Sequence, residues 1–380
     1  MEAYFDNAAT TYVLPEVAAL MTRIMTEDYG NPSSKHKKGM QAEAYIKEAT
    51  ERLATALKAE PKHIIFTSGG TESNNMALIG AAMANRRAGM HIISTPIEHA
   101  SVYNPLLYLE KQGFELTILD VDERGIVKPE ALEKAMREDT ILVSVMAVNN
   151  EIGAVEPVEA LGRLIHEVNP GALFHVDGIQ SFGKLNIYPG RMGIDLYSVS
   201  GHKFHAAKGI GALYANPKAK LHPLILGGGQ QRDMRSGTEN VPGIAGLGLA
   251  AKLAYENLDE NTKHLRLIKE RLIRKMCELP GVTDNSGDAP HIASLSFRGI
   301  KSEVLLHALE DKGIYVSSGS ACASNHPGIS GVLKAIGLEA ELLDATLRFS
   351  FAENNTVDQV DYAVQTVGEL LPVLRRFVRK

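Results

Sequence analysis

The chain is short of cysteine, of positive charge and of long apolar runs, and each shortage closes off a class of protein. Only Cys277 and Cys322 stand among its 380 residues. Two cysteines cannot build a disulfide scaffold or a four-cysteine zinc site. Lys and Arg number 40 against 45 Asp and Glu, a formal net charge of −5. A dedicated nucleic-acid binder needs the opposite balance to reach phosphates. No apolar run approaches the ~18 residues of a membrane-spanning helix. Residues Met1 to Asp6 have neither the basic start nor the apolar stretch of a secretory signal. The expectation is a reducing, cytoplasmic setting in which two thiols stay free. What is present, 44% hydrophobic and 22% charged residues, is the composition of a globular protein with a sizeable core. At ~150 residues per domain, the length predicts two or three domains.

Short apolar runs alternate with amphipathic stretches. Segments 63–67, 90–95, 114–119, 140–148, 172–176 and 195–200 are rich in Ile, Val and Leu and read as strands buried on both faces. Helical patterns lie between the first five at 72–86, 99–112, 129–137 and 157–168, and two more, 16–28 and 36–58, come earlier. This alternation predicts an α/β fold with a mostly parallel sheet flanked by helices. From about residue 243 a single long helical segment is expected to run to Leu279, stopped by Pro280-Gly281. Strands at 291–297, 314–317 and 346–350 with helices at 302–312 and 356–376 then predict a smaller α+β domain. The expected division is 15–250 for the large domain, and 1–14 with 251–380 for the small one. Clusters 30–34 and 227–240 read as loops, the second too long for a simple turn.

Three motifs follow strands. In Phe66-Thr67-Ser68-Gly69-Gly70-Thr71-Glu72-Ser73-Asn74 a strand runs through two glycines into a helix. Free N–H groups and the helix dipole favour a phosphate there, although Thr71 also suits a plain N-cap. In His175-Val176-Asp177-Gly178-Ile179-Gln180 a carboxylate stands at the carboxyl end of a strand, where α/β sheets place ligands. A lone Asp in that place is more commonly a cap or turn residue. In Val199-Ser200-Gly201-His202-Lys203-Phe204-His205 an amine follows a buried strand, and partial burial turns an amine into a nucleophile. Most loop lysines are simply solvated. His202 and His205 lack a third ligand and do not have zinc spacing. Together the three motifs offer a phosphate cradle, a partner for a ring nitrogen and an amine for an aldehyde, the handles of pyridoxal phosphate.

With those motifs in place, the chain resembles the cysteine desulfurases of the NifS/IscS type, first group, in the class V aminotransferase family of fold-type I pyridoxal-phosphate enzymes. The resemblance spans nearly the whole sequence. It is carried by Phe5-Asp6-Asn7-Ala8-Ala9-Thr10-Thr11, Gly30-Asn31-Pro32-Ser33-Ser34 with His36, the glycine motif at 67–75, Glu98-His99 and Asn149-Asn150-Glu151-Ile152-Gly153. It continues through His175-Val176-Asp177 with Gln180, Ser200-Gly201-His202-Lys203, Arg235-Ser236-Gly237-Thr238, Ser317-Ser318-Gly319-Ser320-Ala321-Cys322 and Arg348-Phe349-Ser350.

The resemblance implies roles. Lys203 would hold the cofactor aldehyde and move the Cα proton, Asp177 would pair with the pyridine nitrogen, and Gln180 would donate to the ring hydroxyl. His99 would stack on the ring. Gly70, Thr71, Ser200 and His202 would bind the phosphate, and Thr238 would reach the phosphate of a partner subunit, implying a homodimer with shared sites. Asn149 and Arg348 would bind the substrate, with Asn149 also touching the cofactor. Cys322 would take sulfur from L-cysteine as a persulfide, leave L-alanine, and pass sulfur to an acceptor or scaffold protein of iron–sulfur cluster assembly or of tRNA or cofactor thiolation. Its Ser, Gly, Ala and Asn neighbours in 317–331 read as a mobile loop rather than a core. Cys277, on a helical stretch, reads as inert packing. Neither a nucleic acid nor a membrane is expected as a partner.

The sequence departs from the resembled pattern at Gly178, usually Ala, at Ala206-Ala207, usually Gly-Pro, and at Gln231-Arg232. None of these is a reacting group. Three alternatives remain beside the main one. A selenocysteine lyase or second-group desulfurase would carry its cysteine in an Arg-x-Gly-His-x-Cys setting. A related aminotransferase would lack Cys322, and a non-catalytic sulfur carrier would not need Lys203 and Asp177 together.

Overall fold

The computed structural model describes residues 1–318 and 330–377. The order begins with β1 (Ala3–Tyr4), α1 (Pro15–Thr26) and α2 (Lys37–Leu57). Then come β2 (Ile64–Thr67), α3 (Gly70–Asn85), β3 (His91–Ser94), α4 (Ala100–Lys111), β4 (Glu115–Ile118), α5 (Pro129–Ala135), β5 (Thr140–Met146), α6 (Val158–Val168), β6 (Leu173–Asp177), β7 (Leu196–Ser200) and β8 (Gly211–Ala215). The rest is α7 (Val241–Glu256), α8 (Leu258–Cys277), β9 (Val282–Asp284), β10 (Ile292–Phe297), α9 (Ser302–Glu310), β11 (Ile314–Tyr315), β12 (Ser317–Ser318), α10 (Gly331–Ala335), β13 (Thr346–Ser350) and α11 (Val357–Leu374).

Seven strands form the large sheet in the order β2-β8-β7-β6-β5-β3-β4. From β4 to β7 the neighbours are parallel. β8 runs antiparallel to both β7 and β2. Every residue of β2, β3, β5, β6 and β7 is buried, because crossover helices cover both faces. β8 was not among the expected strands: Gly209 and Gly211 break its apolar run and read as loop.

The single helix expected over 243–279 is two helices. Asn257, at φ −118° and ψ 19°, interrupts it. The two halves serve different cores. Ile244, Leu247, Ala250 and Ala251 of α7 pack with α1, α2 and the large sheet. Leu265, Ile268, Leu272 and Met276 of α8 pack with Phe297, Phe349 and Phe351. No Gly or Pro marks the break; the change of core does. On α8 the buried stripe falls on 265, 268, 272 and 276, so Cys277 lies off it and is exposed. The expectation of a packed Cys277 is corrected by that helical phase.

A second sheet, β12-β13-β10-β9, is antiparallel, and β1 pairs in parallel with β11. Residue 317, at the end of the expected strand 314–317 and the start of the expected loop, and residue 318 of that loop form a separate strand, β12, against β13. Segment 3–14 runs between the two sheets. Phe5 O accepts from Ser350 N at 2.7 Å, and the N–H groups of Thr11 and Leu14 reach the carbonyls of His202 and His205 at 2.8 and 3.2 Å.

Candidate active site

The carboxyl ends of β6 and β7 open into a cavity of about 180 Å³ beside the N-terminus of α3. Its walls carry Gly70, Thr71, His99, Asp177, Gln180, Ser200, His202, Lys203 and Arg348, nine of the residues singled out in the sequence. Crossover connections place consecutive strand ends side by side, and that gathers side chains from positions 70 to 203 at one edge.

Asp177 ends β6. Its Oδ2 accepts from Asn74 Nδ2 and its Oδ1 from Ile179 N, at 2.9 and 3.0 Å. Burial raises its pKa, opposed by hydrogen bonds and by His99 and Lys203. A carboxyl so enclosed calls for a cationic partner to stay ionised. Asn74 Nδ2 also donates to Ser101 Oγ at 2.9 Å, and Ser101 Oγ lies 2.8 Å from His99 Nδ1. His99 is the N-cap of α4, so its ring is held by both its backbone and its Nδ1 contact.

Lys203 closes a short helical turn after β7. Its Nζ donates to the carbonyls of Ala8 and Ala9, at 2.6 and 2.8 Å. Gln180 Nε2 donates to the same Ala8 carbonyl at 2.9 Å, and Gln180 Oε1 lies 3.3 Å from His291 Nε2. Burial and the nearby lysines push His202 down to about 4. It is a neutral imidazole at pH 7, 3.2 Å from Thr10 Oγ1.

At the start of α3, Gly69 is the N-cap and supplies no side-chain cap. The helix N-terminus is therefore available to an anion. A Cβ on Gly70 would stand 2.3 Å from Ile179 Cδ1 and 3.2 Å from Ser200 Cβ. The missing side chain lets α3, Ile179 and Ser200 close up around this corner.

Arg348, in β13, is buried. It donates from Nη1 to Asn150 O at 2.7 Å and from Nη2 to Asp6 Oδ1 at 2.8 Å. Its Nε is buried without a partner among the described residues, an unused donor in a residue that lines the cavity.

Other expected residues are elsewhere. Asn149 is turned into its own loop: its Oδ1 takes the N–H groups of Glu151 and Ile152, and its Nδ2 bonds Ile97 O at 3.0 Å. Asn150, not Asn149, lines the cavity. Thr238 is exposed and borders a separate hollow with Ser68, Gln231 and Arg235. There the Gln231 amide brackets the backbone of Phe66, and Arg235 forks onto Glu72 at 2.9 and 3.2 Å. Cys322 lies outside the described residues, as do 319–329 of the predicted loop and 378–380 of the tail.

Ala8, Ser101, Asn150 and Ile179 also line the cavity; Ala8, Asn150 and Ile179 lie within quoted motifs without having been given a role, and Ser101 lies in none. Beside His99 lies a further acid, half-buried as a residue but with its carboxyl enclosed. Glu98 Oε1 accepts from Thr95 Oγ1 and Met146 N at 2.8 and 2.9 Å, and Oε2 has no partner among the described residues. Burial pushes its pKa up to about 8.

The aminotransferase class-V family model matches residues 3–363. A cysteine desulfurase IscS of Methanosarcina thermophila is 44% identical over 375 residues, 98% of this chain and 92% of the relative. Among solved structures, a NifS-like protein superposes with a TM-score of 0.93 at 38% identity, covering 98% of this chain and 100% of the other. SspA in complex with cysteine superposes with a TM-score of 0.82 at 35% identity, covering 93% and 100%.

Proposed function

Because the chain belongs to the class-V aminotransferase family, we infer that it is a pyridoxal-phosphate-dependent cysteine desulfurase. It converts L-cysteine to L-alanine and hands the sulfur, as a persulfide on Cys322, to an acceptor protein. The observation that supports this most directly is the meeting of Asp177, Lys203, the α3 N-terminus and Arg348 in one small cavity. The cavity fits the cofactor in three respects: a buried carboxyl that calls for a cation, an amine, and an uncapped helix start that a Cβ would crowd.

The cofactor supplies an electron sink for the bonds at the substrate Cα. The chain supplies the rest. Lys203 holds the cofactor carbonyl and then carries the Cα proton. Asp177 keeps the ring nitrogen protonated, and Gln180 and His99 fix the ring. Gly70, Thr71, Ser200 and His202 hold the phosphate; His202, being neutral, contributes an N–H donor rather than a charge. Thr238 reaches the phosphate site of a second subunit in a homodimer. Arg348 takes the substrate carboxylate, with its unpaired Nε as a ready donor. Asn149 acts by shaping the loop that sets Asn150 on the cavity. The Cys322 thiolate attacks the substrate sulfur, an S–S bond forms as the Cβ–S bond breaks, and Cβ takes the electron pair and a proton to become the alanine methyl.

Residues 15–250 form the unit that holds the cofactor, and 1–14 with 251–380 the unit that brings Arg348 and Cys322 to it. The acceptor is a protein of iron–sulfur assembly or of tRNA or cofactor thiolation, met in the cytoplasm. No helix among the described residues is long and apolar enough to cross a membrane.

Purified protein is expected to be yellow, with a visible band that shifts on adding L-cysteine. Cys322→Ala should keep that shift and release no sulfide. Sulfide release by this variant at the unaltered rate would refute the persulfide route. Mass spectrometry after an amino-acid panel separates the alternatives: a desulfurase leaves a persulfide on Cys322 with L-cysteine alone.

A further inference from the structure

Three residues that reach the cavity each stand close in sequence to one member of a largely enclosed Lys–Glu–His cluster, in which Glu353 is half-buried. Lys184 follows Gln180 by four positions, His205 follows Lys203 by two, and Glu353 follows Arg348 by five. In space the three meet. Glu353 Oε1 lies 3.0 Å from Lys184 Nζ, and Oε2 lies 2.8 Å from His205 Nε2. Lys184 and His205 are only 4% and 5% exposed. The other ring nitrogen of His205 sits 3.0 Å from Tyr12 O. The His205 backbone is left-handed, at φ +69°, a conformation that a non-glycine residue keeps only where its surroundings hold it. None of the three lines the cavity. Lys184 and His205 flank the large sheet, whereas Glu353 lies just beyond β13 of the second sheet.

A buried ion cluster adds little stability over an apolar filling of the same shape, but it fixes the relative placement of its members tightly. We propose that Glu353 is a positioning residue: by gripping Lys184 and His205 it sets β13, and with it Arg348, at a fixed separation from Lys203 and Gln180. Guanidinium and amine line the one cavity, so that separation sets whether one amino acid can place its carboxylate at Arg348 and its α-carbon at Lys203. The inference rests on the desulfurase reading for the identity of that amino acid.

The test compares unaltered protein with Glu353→Gln and with the apolar pair Lys184→Met/Glu353→Leu, all loaded with pyridoxal phosphate. Three readings are taken: thermal unfolding, the visible band without substrate, and the L-cysteine concentration giving half of the spectral shift. The band should be retained in both variants. Half-saturation should rise by about tenfold or more, as small misplacements of a binding group cost. The pair should unfold near the temperature of the unaltered protein, because it removes the Lys184 ammonium together with the carboxylate that faces it. If Glu353→Gln fails to fold, the pair decides alone. Half-saturation in the pair equal to that of the unaltered protein would overturn the proposal and leave the cluster a purely structural one. Failure of the desulfurase reading gives a different result: unaltered protein that forms no alanine from L-cysteine.

Discussion

Replacing Gly178 by alanine puts a methyl group where a ring already is. The added Cβ would stand 2.1 Å from Tyr197 Cζ, 2.3 Å from Cε2 and 2.6 Å from the hydroxyl oxygen. Carbon atoms in ordinary contact sit ~3.5–4 Å apart, so the ring must give way by more than ~1 Å. It has nowhere to go: Tyr197 is fully buried in β7, and its hydroxyl is held 2.7 Å from Ser181 Oγ. Overpacking of this kind costs about 1–3 kcal/mol. Losing the Ser181 hydrogen bond adds about 1 kcal/mol. The smaller entropy of the unfolded Ala chain returns about 0.4–1 kcal/mol. The expected net loss is about 2–3 kcal/mol, read as a lower urea midpoint for the cofactor-free protein. Tyr197→Phe should not relieve it, because Cζ and Cε2 remain. Tyr197→Leu should cost at least about 1 kcal/mol less in the Gly178→Ala background than alone, the signature of residues in contact. A Gly178→Ala variant within about 0.5 kcal/mol of the unaltered protein, or strictly additive costs, would refute the reasoning. The same reasoning explains why glycine stands here although the resembled family usually carries alanine: the large tyrosine on the next strand fills the space.

Glu98 makes stability fall with alkalinity. Its folded pKa of about 8 lies above the ordinary 4.5, so its contribution is whole below 4.5 and is lost as pH rises to about 8, at up to ~1.4 kcal/mol per pH unit. Glu98→Gln should flatten that slope by one proton, and identical urea midpoints against pH for both proteins would contradict it. Arg348→Lys keeps the charge but not the planar fork. Half-saturating L-cysteine should rise at least about tenfold with the visible band intact, and an unchanged value would remove Arg348 from the substrate site. Arg235→Ala frees Glu72 and loosens segment 227–240 from the phosphate helix. Dialysis should strip pyridoxal phosphate faster, Glu72→Arg/Arg235→Glu should restore part of the retention, and equal loss from all three proteins would show that the pair does not act on the cofactor.

Most of the large sheet was legible in the sequence because strands buried on both faces are continuous apolar runs, and β2, β3, β5, β6 and β7 are of that kind. β8 was not, because its glycines imitate a loop. The break at Asn257 was not, because neither Gly nor Pro marks it and both flanking patterns read as helix, α7 buried nearly all round and α8 along one stripe. The site divides the same way. Asp177, Lys203 and Gly70 betray themselves by standing at or just beyond the ends of strands, which is a local property. Asn149 and Asn150 are adjacent, and nothing in their order says which faces the cavity; the loop hydrogen bonds of Asn149 decide it. The grip of Glu353 on Lys184 and His205 joins positions 169 and 148 residues apart, and no local pattern reports that.

The lacing of segment 3–14 between the sheets fixes when the pocket can be completed. Asn7 bonds Ser350 across 343 positions, and Ala8 supplies the carbonyl on which Lys203 and Gln180 rest. Contacts so distant in sequence form late, since the intervening chain must first be closed. On a ribosome adding about 5–20 residues per second, the strands of the large sheet emerge well before β13, by an interval on the order of ten seconds. Through that interval Asp177 and Lys203 stand on an assembled sheet with one wall of the pocket still missing. Segment 3–14, made before the large sheet, is among the last parts to take its place, and the pocket is sealed only when that segment has met β13.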